Sequence, residues 1–288
     1  MATTQTPPPI LRRRLGGLLR QYRKQAGLTL VPAAKILGWE NTRLSRVETG
    51  QYQIRPDEVS TLLHLFGVTD TATIDEVTRV INSGQRSWWA AYADILPQTY
   101  ADIIALESEA VLLRAYFPQL IPALLQTPAY AHALISSSPR AATQRTATAL
   151  VQVRQARKEI LARPNPTELR TVIDESALYP RTGAASDLMR DQLLSLLDMS
   201  ERSNITLRIM PLDAPLHSGL TSNMTIMTFR HPWSALAMVD HTRGGVFMEE
   251  PEDVTAFTEV FDAVYEAALS TDQSRDVIKQ YLKGTPDA

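Results

Sequence analysis

The apolar positions of the first eighty residues recur at helical spacing. Leu11, Leu15, Leu18, Leu19 and Tyr22 fall at i, i+4, i+7, i+8 and i+11, which predicts a helix from Leu11 to Ala26. The next stretch, GLTLVPAAKILGWENTRLSRVETG from Gly27 to Gly50, has the spacing of two short helices joined by a glycine turn. Thr29 is placed to cap the first of these with its hydroxyl, Pro32 sits in the first turn where no backbone donor is lost, and Ala33, Ala34 and Leu37 form a small-residue inner face. Gly38 ends it. The second runs from about Asn41 to Glu48, with Leu44 and Val47 on one face and Asn41, Thr42, Arg43, Ser45 and Arg46 on the other. A fourth helix follows in RPDEVSTLLHLF: Pro56 takes a first helical position, Asp57 and Glu58 lie at the positive end of the dipole, and Val59, Leu62, Leu63 and Phe66 make the stripe. Gly67 stops it, and a fifth helix runs from Asp70 or Thr71 to about Ile81.

A polar, turn-rich segment, NSGQRS from Asn82 to Ser87, then marks a domain boundary. Trp88, Trp89 and Tyr92 cluster just beyond it, Pro97 breaks the chain, and Ile103, Leu106, Ala110 and Leu113 predict a helix from about Tyr100 to Tyr116. A short helix from Thr127 or Pro128 to Ile135 and a long one from about Ala142 to Leu161 follow, the latter stopped by the run Arg163, Pro164, Asn165, Pro166. The period then changes. Leu169 to Ile173, Ile205 to Met210, Met224 to Phe229 and Ala235 to Val239 read as strands, with Val246 to Met248 as a fifth. Ser186 to Glu201, Asp253 to Ser270 and Asp272 to Lys283 read as helices. The fold class expected is mainly α with an α+β C-terminal domain, in which helices cover a small antiparallel sheet. The domains expected are a disordered N-terminus (1–8), a helical domain (9–82), and a second domain (83–288) that is helical over 88–163 and α+β over 167–284.

Charge changes the picture. The formal net charge is −2, but ten of the 29 Lys and Arg and only two of the 31 Asp and Glu lie in residues 1–55, which therefore carry +8 while the remainder carries −10. The basic end suits a module that neutralises phosphates. The acidic remainder does not. The absence of cysteine excludes disulfides, thiol catalysis and cysteine-ligated zinc. No apolar run approaches the roughly 20 residues that span a bilayer, and MATTQTPPPI lacks the apolar core of a signal peptide, so a cytoplasmic location is expected.

The outward face of the third helix carries amide, hydroxyl and guanidinium groups, the chemistry that reads base edges and phosphates in a major groove. Enzyme chemistry finds little to stand on. The five histidines form neither an HExxH nor an HxH spacing, no glycine-rich loop follows a strand, and Ser218 and Gly219 lack the nucleophile-elbow pattern. Asp174 and Glu175 are adjacent on a strand end and face opposite ways, which does not suit paired-carboxylate catalysis. His217, Asp240 and His241 are explained more simply as turn or sheet-edge residues than as a metal site. No catalytic residue, metal or cofactor is expected. The aromatic set Trp88, Trp89, Tyr92, Tyr116 and Tyr130, with Asp94, Glu107, Arg114 or Gln126 as polar groups, offers walls that a core or an effector pocket would both use. From it, Trp88, Trp89, Tyr92, Arg114 and Gln126 are the candidates for effector or partner binding.

The pattern LRxxRKxAGLT followed by AAxxLGWxxxxLSRVETG makes residues 10–67 resemble the DNA-binding domain of xenobiotic-response-element-type repressors, the lambda-repressor fold. The resemblance implies five helices, with Asn41 to Glu48 as recognition helix. It assigns Asn41, Thr42, Ser45 and Arg46 to bases and Arg43 to base or phosphate, and Thr29 and Arg55 complete the candidate DNA-binding set. It also implies an internal ion pair between Arg23 and Glu48. Leu30 stands where that family usually has Gln, and Val31 and Ile36 where polar residues are common. SWWAAYADILP, LESEA, LIPALLQTPAYA, VIDESAL, the segment from Gln192 to Leu197 and VFMEEPEDV resemble the C-terminal domain of unknown function in actinobacterial WhiJ-like regulators, from which Ala123 and Asp240 depart. That resemblance implies a regulatory complex with a small, genetically linked partner protein. Together these point to a homodimeric, sequence-specific transcriptional regulator that binds a pseudo-palindromic double-stranded operator, with dimer, partner or effector contacts in the C-terminal domain. The alternative is an antitoxin-like or adaptor module whose helix-turn-helix docks a protein.

Overall fold

The computed structural model describes residues 8–85, 87–138, 143–179, 186–221, 223–241 and 244–284. The expected disorder of residues 1–8 falls almost wholly outside them. The chain forms two compact units, one of Met1–Glu109 with Phe229–Ser234, the other of Ala110–Thr228 with Ala235–Ala288.

In the first unit α1 (Ile10–Gln25), α2 (Leu30–Ile36), α3 (Asn41–Glu48), α4 (Pro56–Leu65) and α5 (Thr71–Gln85) follow one another at short intervals. Leu15, Leu19, Ala33, Ala34, Leu44, Val47, Leu62 and Leu63 are buried and make their common core. Thr29 stands at the N-cap of α2 with extended backbone, yet its hydroxyl makes no capping bond. Two glycines set how closely α1 and α3 approach. A Cβ on Gly16 would lie 2.5 Å from the Glu48 carbonyl oxygen, and one on Gly50, which has φ +74°, would lie 2.9 Å from the Arg13 Cα. The unit does not end with α5. A 3-10 turn (Trp88–Tyr92) leads into α6 (Gln98–Glu109), where Glu109 accepts from Arg79 of α5 at 2.6 Å and from the Ser83 hydroxyl. These bonds carry the compact unit past the boundary read at Asn82 to Ser87. α6 also supplies Asp102, whose Oδ1 accepts the Ile10 amide at 3.0 Å and so takes up the first donor of α1.

The second unit is built on a six-stranded mixed sheet, and this corrects the expected small antiparallel one. Its strands are β1 (Leu112–Phe117), β2 (Glu168–Asp174), β3 (Ile205–Met210), β4 (Met224–Thr228), β5 (Leu236–His241) and β6 (Gly244–Met248), in the order β3-β2-β1-β4-β5-β6. β1 runs parallel to β2 and antiparallel to β4, with Leu113 between Leu169 and Met227, and β2 is parallel to β3. β1 occupies residues read as the end of the Tyr100 to Tyr116 helix, which stops instead at Glu109. Leu113 continues the helical phase of Ile103, Leu106 and Ala110 by coincidence. The short apolar run LLRAYF suits either state, and pairing on both sides decides for strand. α7 (Pro128–Ser136), α8 (Gln144–Arg157), α9 (Ser186–Ser200), α10 (Pro251–Ala267) and α11 (Thr271–Lys283) complete the unit, α8 giving way to a 3-10 turn (Lys158–Leu161) within the single long helix that was expected. Tyr116, Val172, Met210, Met224 and Ile226 of the sheet pack in one core with Phe261 of α10.

Candidate nucleic-acid interface

α3 presents outward the polar face that its sequence predicts. Asn41, Thr42 and Arg46 are exposed and Ser45 is half-buried, while Leu44 and Val47 are buried beneath them. With partners three and four positions apart on one surface, Asn41, Thr42, Ser45 and Arg46 form a contiguous polar strip. Thr42 donates weakly to Glu40 at 3.3 Å. Arg46 makes no ion pair among the described residues, so its guanidinium is uncommitted.

Behind the strip, Arg23 of α1 clamps Glu48 in a bidentate pair, Nε to Oε1 at 2.6 Å and a terminal nitrogen to Oε2 at 2.8 Å. Arg23 also donates to the Leu28 carbonyl at 2.7 Å. The hydrogen bond to Glu48 raises the guanidinium pKa above its ordinary value, against the opposing effect of burial. Both partners are almost fully buried and hydrogen-bonded, the condition under which an interior ion pair is tolerated. The pair fixes the end of α3 on α1.

Arg43 is engaged within the protein. It donates to Glu58 of α4 at 2.5 Å and lies 3.9 Å over the Trp39 ring, with Tyr52 at 5.4 Å. Glu58 also accepts the Arg55 amide at 3.1 Å, and Arg55, its side chain 71% exposed, pairs with Asp57 at 3.1 Å. Arg43 therefore ties α3 to α4 as it stands, whereas Arg55 remains open to solvent. Thr29 is exposed. On α2, Val31 and Ile36 are 56% and 62% exposed, two apolar side chains open to solvent.

The effector candidates do not converge. Trp88, Trp89 and Tyr92 sit on the 3-10 turn of the first unit, Trp88 edge-on to the other two at 5.7 and 6.4 Å. Trp89 lines a cavity there together with Asp102 and Trp233, two residues that no local pattern singled out. Arg114 and Gln126 belong to the second unit. Arg114 reaches Asp262 of α10 at 3.7 Å. Gln126 is buried inside its own loop, donating to the Ile121 carbonyl at 2.7 Å and accepting from Arg154 at 2.8 Å. It is a loop anchor.

Asp174 and Glu175 likewise hold the fold: Asp174 accepts the Ser176 amide at 2.9 Å, and Glu175 accepts the Leu212 amide at 3.0 Å and the Tyr281 hydroxyl at 2.9 Å. Among the described residues, no three His, Asp or Glu side chains are grouped to hold a metal ion. The His241 side chain lies outside those described. No helix among the described residues is long and apolar enough to cross a membrane.

A polar helix held outward on a braced frame of neighbouring helices is the architecture of a helix-turn-helix DNA-binding protein, and residues 14–77 match the family described as Helix-turn-helix domain. Residues 100–280, well over half the chain, match the family Domain of unknown function (DUF5753), and the chain belongs to that family. No curated protein and no solved structure matches it.

Proposed function

We propose that this protein is a sequence-specific, DNA-binding transcriptional regulator. The observation that carries the reading is the outward strip Asn41, Thr42, Ser45 and Arg46 in a segment of charge +8. In this reading the strip enters the major groove, Arg46 reads a base edge, and Arg55 and Thr29 meet the flanking phosphates. One such helix contacts few bases, so the protein acts as a homodimer on a pseudo-palindromic operator with half-sites about one helical turn apart. The acidic second unit holds the dimer or a small partner protein in the cytoplasm. Arg43, already bonded to Glu58, positions α3 rather than reading sequence.

Binding measured on genomic fragments against salt tests this. The logarithm of affinity should fall linearly with the logarithm of salt concentration, and Arg46→Ala should weaken the preferred site by about 1–3 kcal/mol while leaving the melting temperature unchanged. Equal affinity for all fragments would overturn it. The exposed Val31 and Ile36 favour a second reading, in which the helix-turn-helix docks a protein in the manner of an antitoxin or adaptor. Salt-insensitive binding lost in Ile36→Asp but kept in Arg46→Ala would select it.

A further inference from the structure

The first unit contains a cavity of about 620 Å³, a size typical of small-molecule sites. Its walls are mainly apolar and include Ile10, Leu15, Ile54, Val80, Trp89 and Leu96. Two of its polar lining groups have unused bonding capacity. Trp233, on the segment Phe229–Ser234, is 9% exposed, and its indole N–H is buried with no acceptor among the described residues. Asp102 is 4% exposed and takes both its hydrogen bonds on Oδ1, from the Ile10 amide at 3.0 Å and the Gln98 amide at 2.8 Å. Among the described residues nothing donates to Oδ2. Burial, opposed by those two bonds and by the charge of Arg13, raises this carboxyl above its ordinary range. A buried donor with no acceptor is unfavourable, and a carbonyl on a bound molecule removes the penalty.

The cavity also shares its walls with the frame of the recognition helix. Leu15 precedes Gly16, the residue packed against the Val47 and Glu48 carbonyls at the end of α3. Gln53 and Ile54 line the cavity directly after Tyr52, whose amide donates to the Arg46 carbonyl at 3.0 Å. A molecule seated between α1 and this segment presses on both supports of α3.

We propose that the cavity is an effector site for a small, mainly apolar compound carrying a carbonyl for Trp233 and a hydrogen-bond donor for Asp102, and that its occupancy alters the posture of α3. The second clause rests on the DNA-binding reading above; the first does not. Aminomethylcoumarin, a planar dye with an amine at one end and a lactone carbonyl at the other, serves as probe with the full chain. Saturable binding, followed by dye fluorescence and by quenching of tryptophan emission, is expected. Trp233→Phe, which keeps a smaller aromatic ring and removes the donor, should weaken it about three- to tenfold, the worth of one hydrogen bond. Asp102→Asn should weaken it at least as much, and Ala93→Trp, which fills the cavity from an exposed wall position, should abolish it. Circular dichroism melts identify any variant that fails to fold, and the remaining variants then decide. No saturable binding, or binding unchanged in every folded variant, overturns the site. Saturating dye should shift affinity for the preferred duplex severalfold; an unchanged affinity overturns the coupling alone. If no duplex is preferred, the regulator reading falls while the dye titration still decides the site.

Discussion

The helical head and the sheet unit hold their chains together by different means. In the head, α2 packs on α3 and α4 on α5, pairs adjacent in sequence, while α1 also reaches α5 and α6, and the joints are glycines with positive φ at 27, 38, 50 and 67. In the sheet unit, β1 finds its partners only at Glu168 and Met224, after several helices have intervened. Contacts between sequence neighbours cost little chain entropy and leave a local mark in composition; pairings between distant segments cost more and leave none. The head should therefore be vulnerable at a few specific joints, and the sheet unit through the volume of its core.

The sharpest way to break the head is Glu48→Ala, which strands the Arg23 guanidinium in the interior. A loss of about 3–5 kcal/mol is expected from denaturant unfolding of the head, read from helical signal. Leu113→Ala is the counterpart in the sheet unit, where a fully buried side chain between two strands should be worth about 2–5 kcal/mol. Adjacent glycines of α1 then sharpen the comparison. Helix propensity favours alanine over glycine by about 1 kcal/mol, and at Gly17, where an added Cβ meets nothing within 4 Å, Gly17→Ala should stabilise by that order. Gly16→Ala should instead destabilise by about 1–3 kcal/mol, because the clash with the Glu48 carbonyl outweighs propensity. Opposite shifts in melting temperature for two neighbouring residues would confirm that the α1–α3 approach is set by backbone contact.

The smallest expected effect lies in the sheet core. The Tyr116 hydroxyl is buried with no hydrogen-bond partner among the described residues, and burial, with the nearby charge of Asp174, pushes the phenol up to about 12 from its ordinary 10.0. The folded state thus holds this proton more tightly than the unfolded one. Its contribution is complete below pH 10 and is lost as pH rises through about 12. Tyr116→Phe should leave stability at neutral pH within about 1 kcal/mol of the parent and flatten the alkaline decline measured by melting between those pH values.

The same division explains what could be read from the chain. The helices of the head were legible because Gly38 and Gly50 close turns, Pro56 opens a helix, and Leu44 and Val47 share a face, all local signals. The outward positions of Asn41, Thr42 and Arg46 followed from that. The engagement of Arg43 was not legible, since Trp39, Tyr52 and Glu58 come from three separate segments. Five strands were legible from their β-branched residues; β1 was not, because its central place in the sheet depends on partners elsewhere. Of the effector candidates, Trp89 reaches the cavity while Arg114 and Gln126 hold α10 and a loop. Trp233 enters the cavity from a segment that nothing near Trp89 foreshadows.

The bond from the Ile10 amide to Asp102 bears on how the head is to be prepared in isolation. Pro9, the residue preceding α1, offers no side-chain acceptor, so the opening of that helix borrows its terminator from α6. A truncation ending at residue 82 would fray where α1 begins and would leave Arg79 paired with Glu76 alone, without Glu109. A fragment trimmed after Glu109 keeps both fastenings.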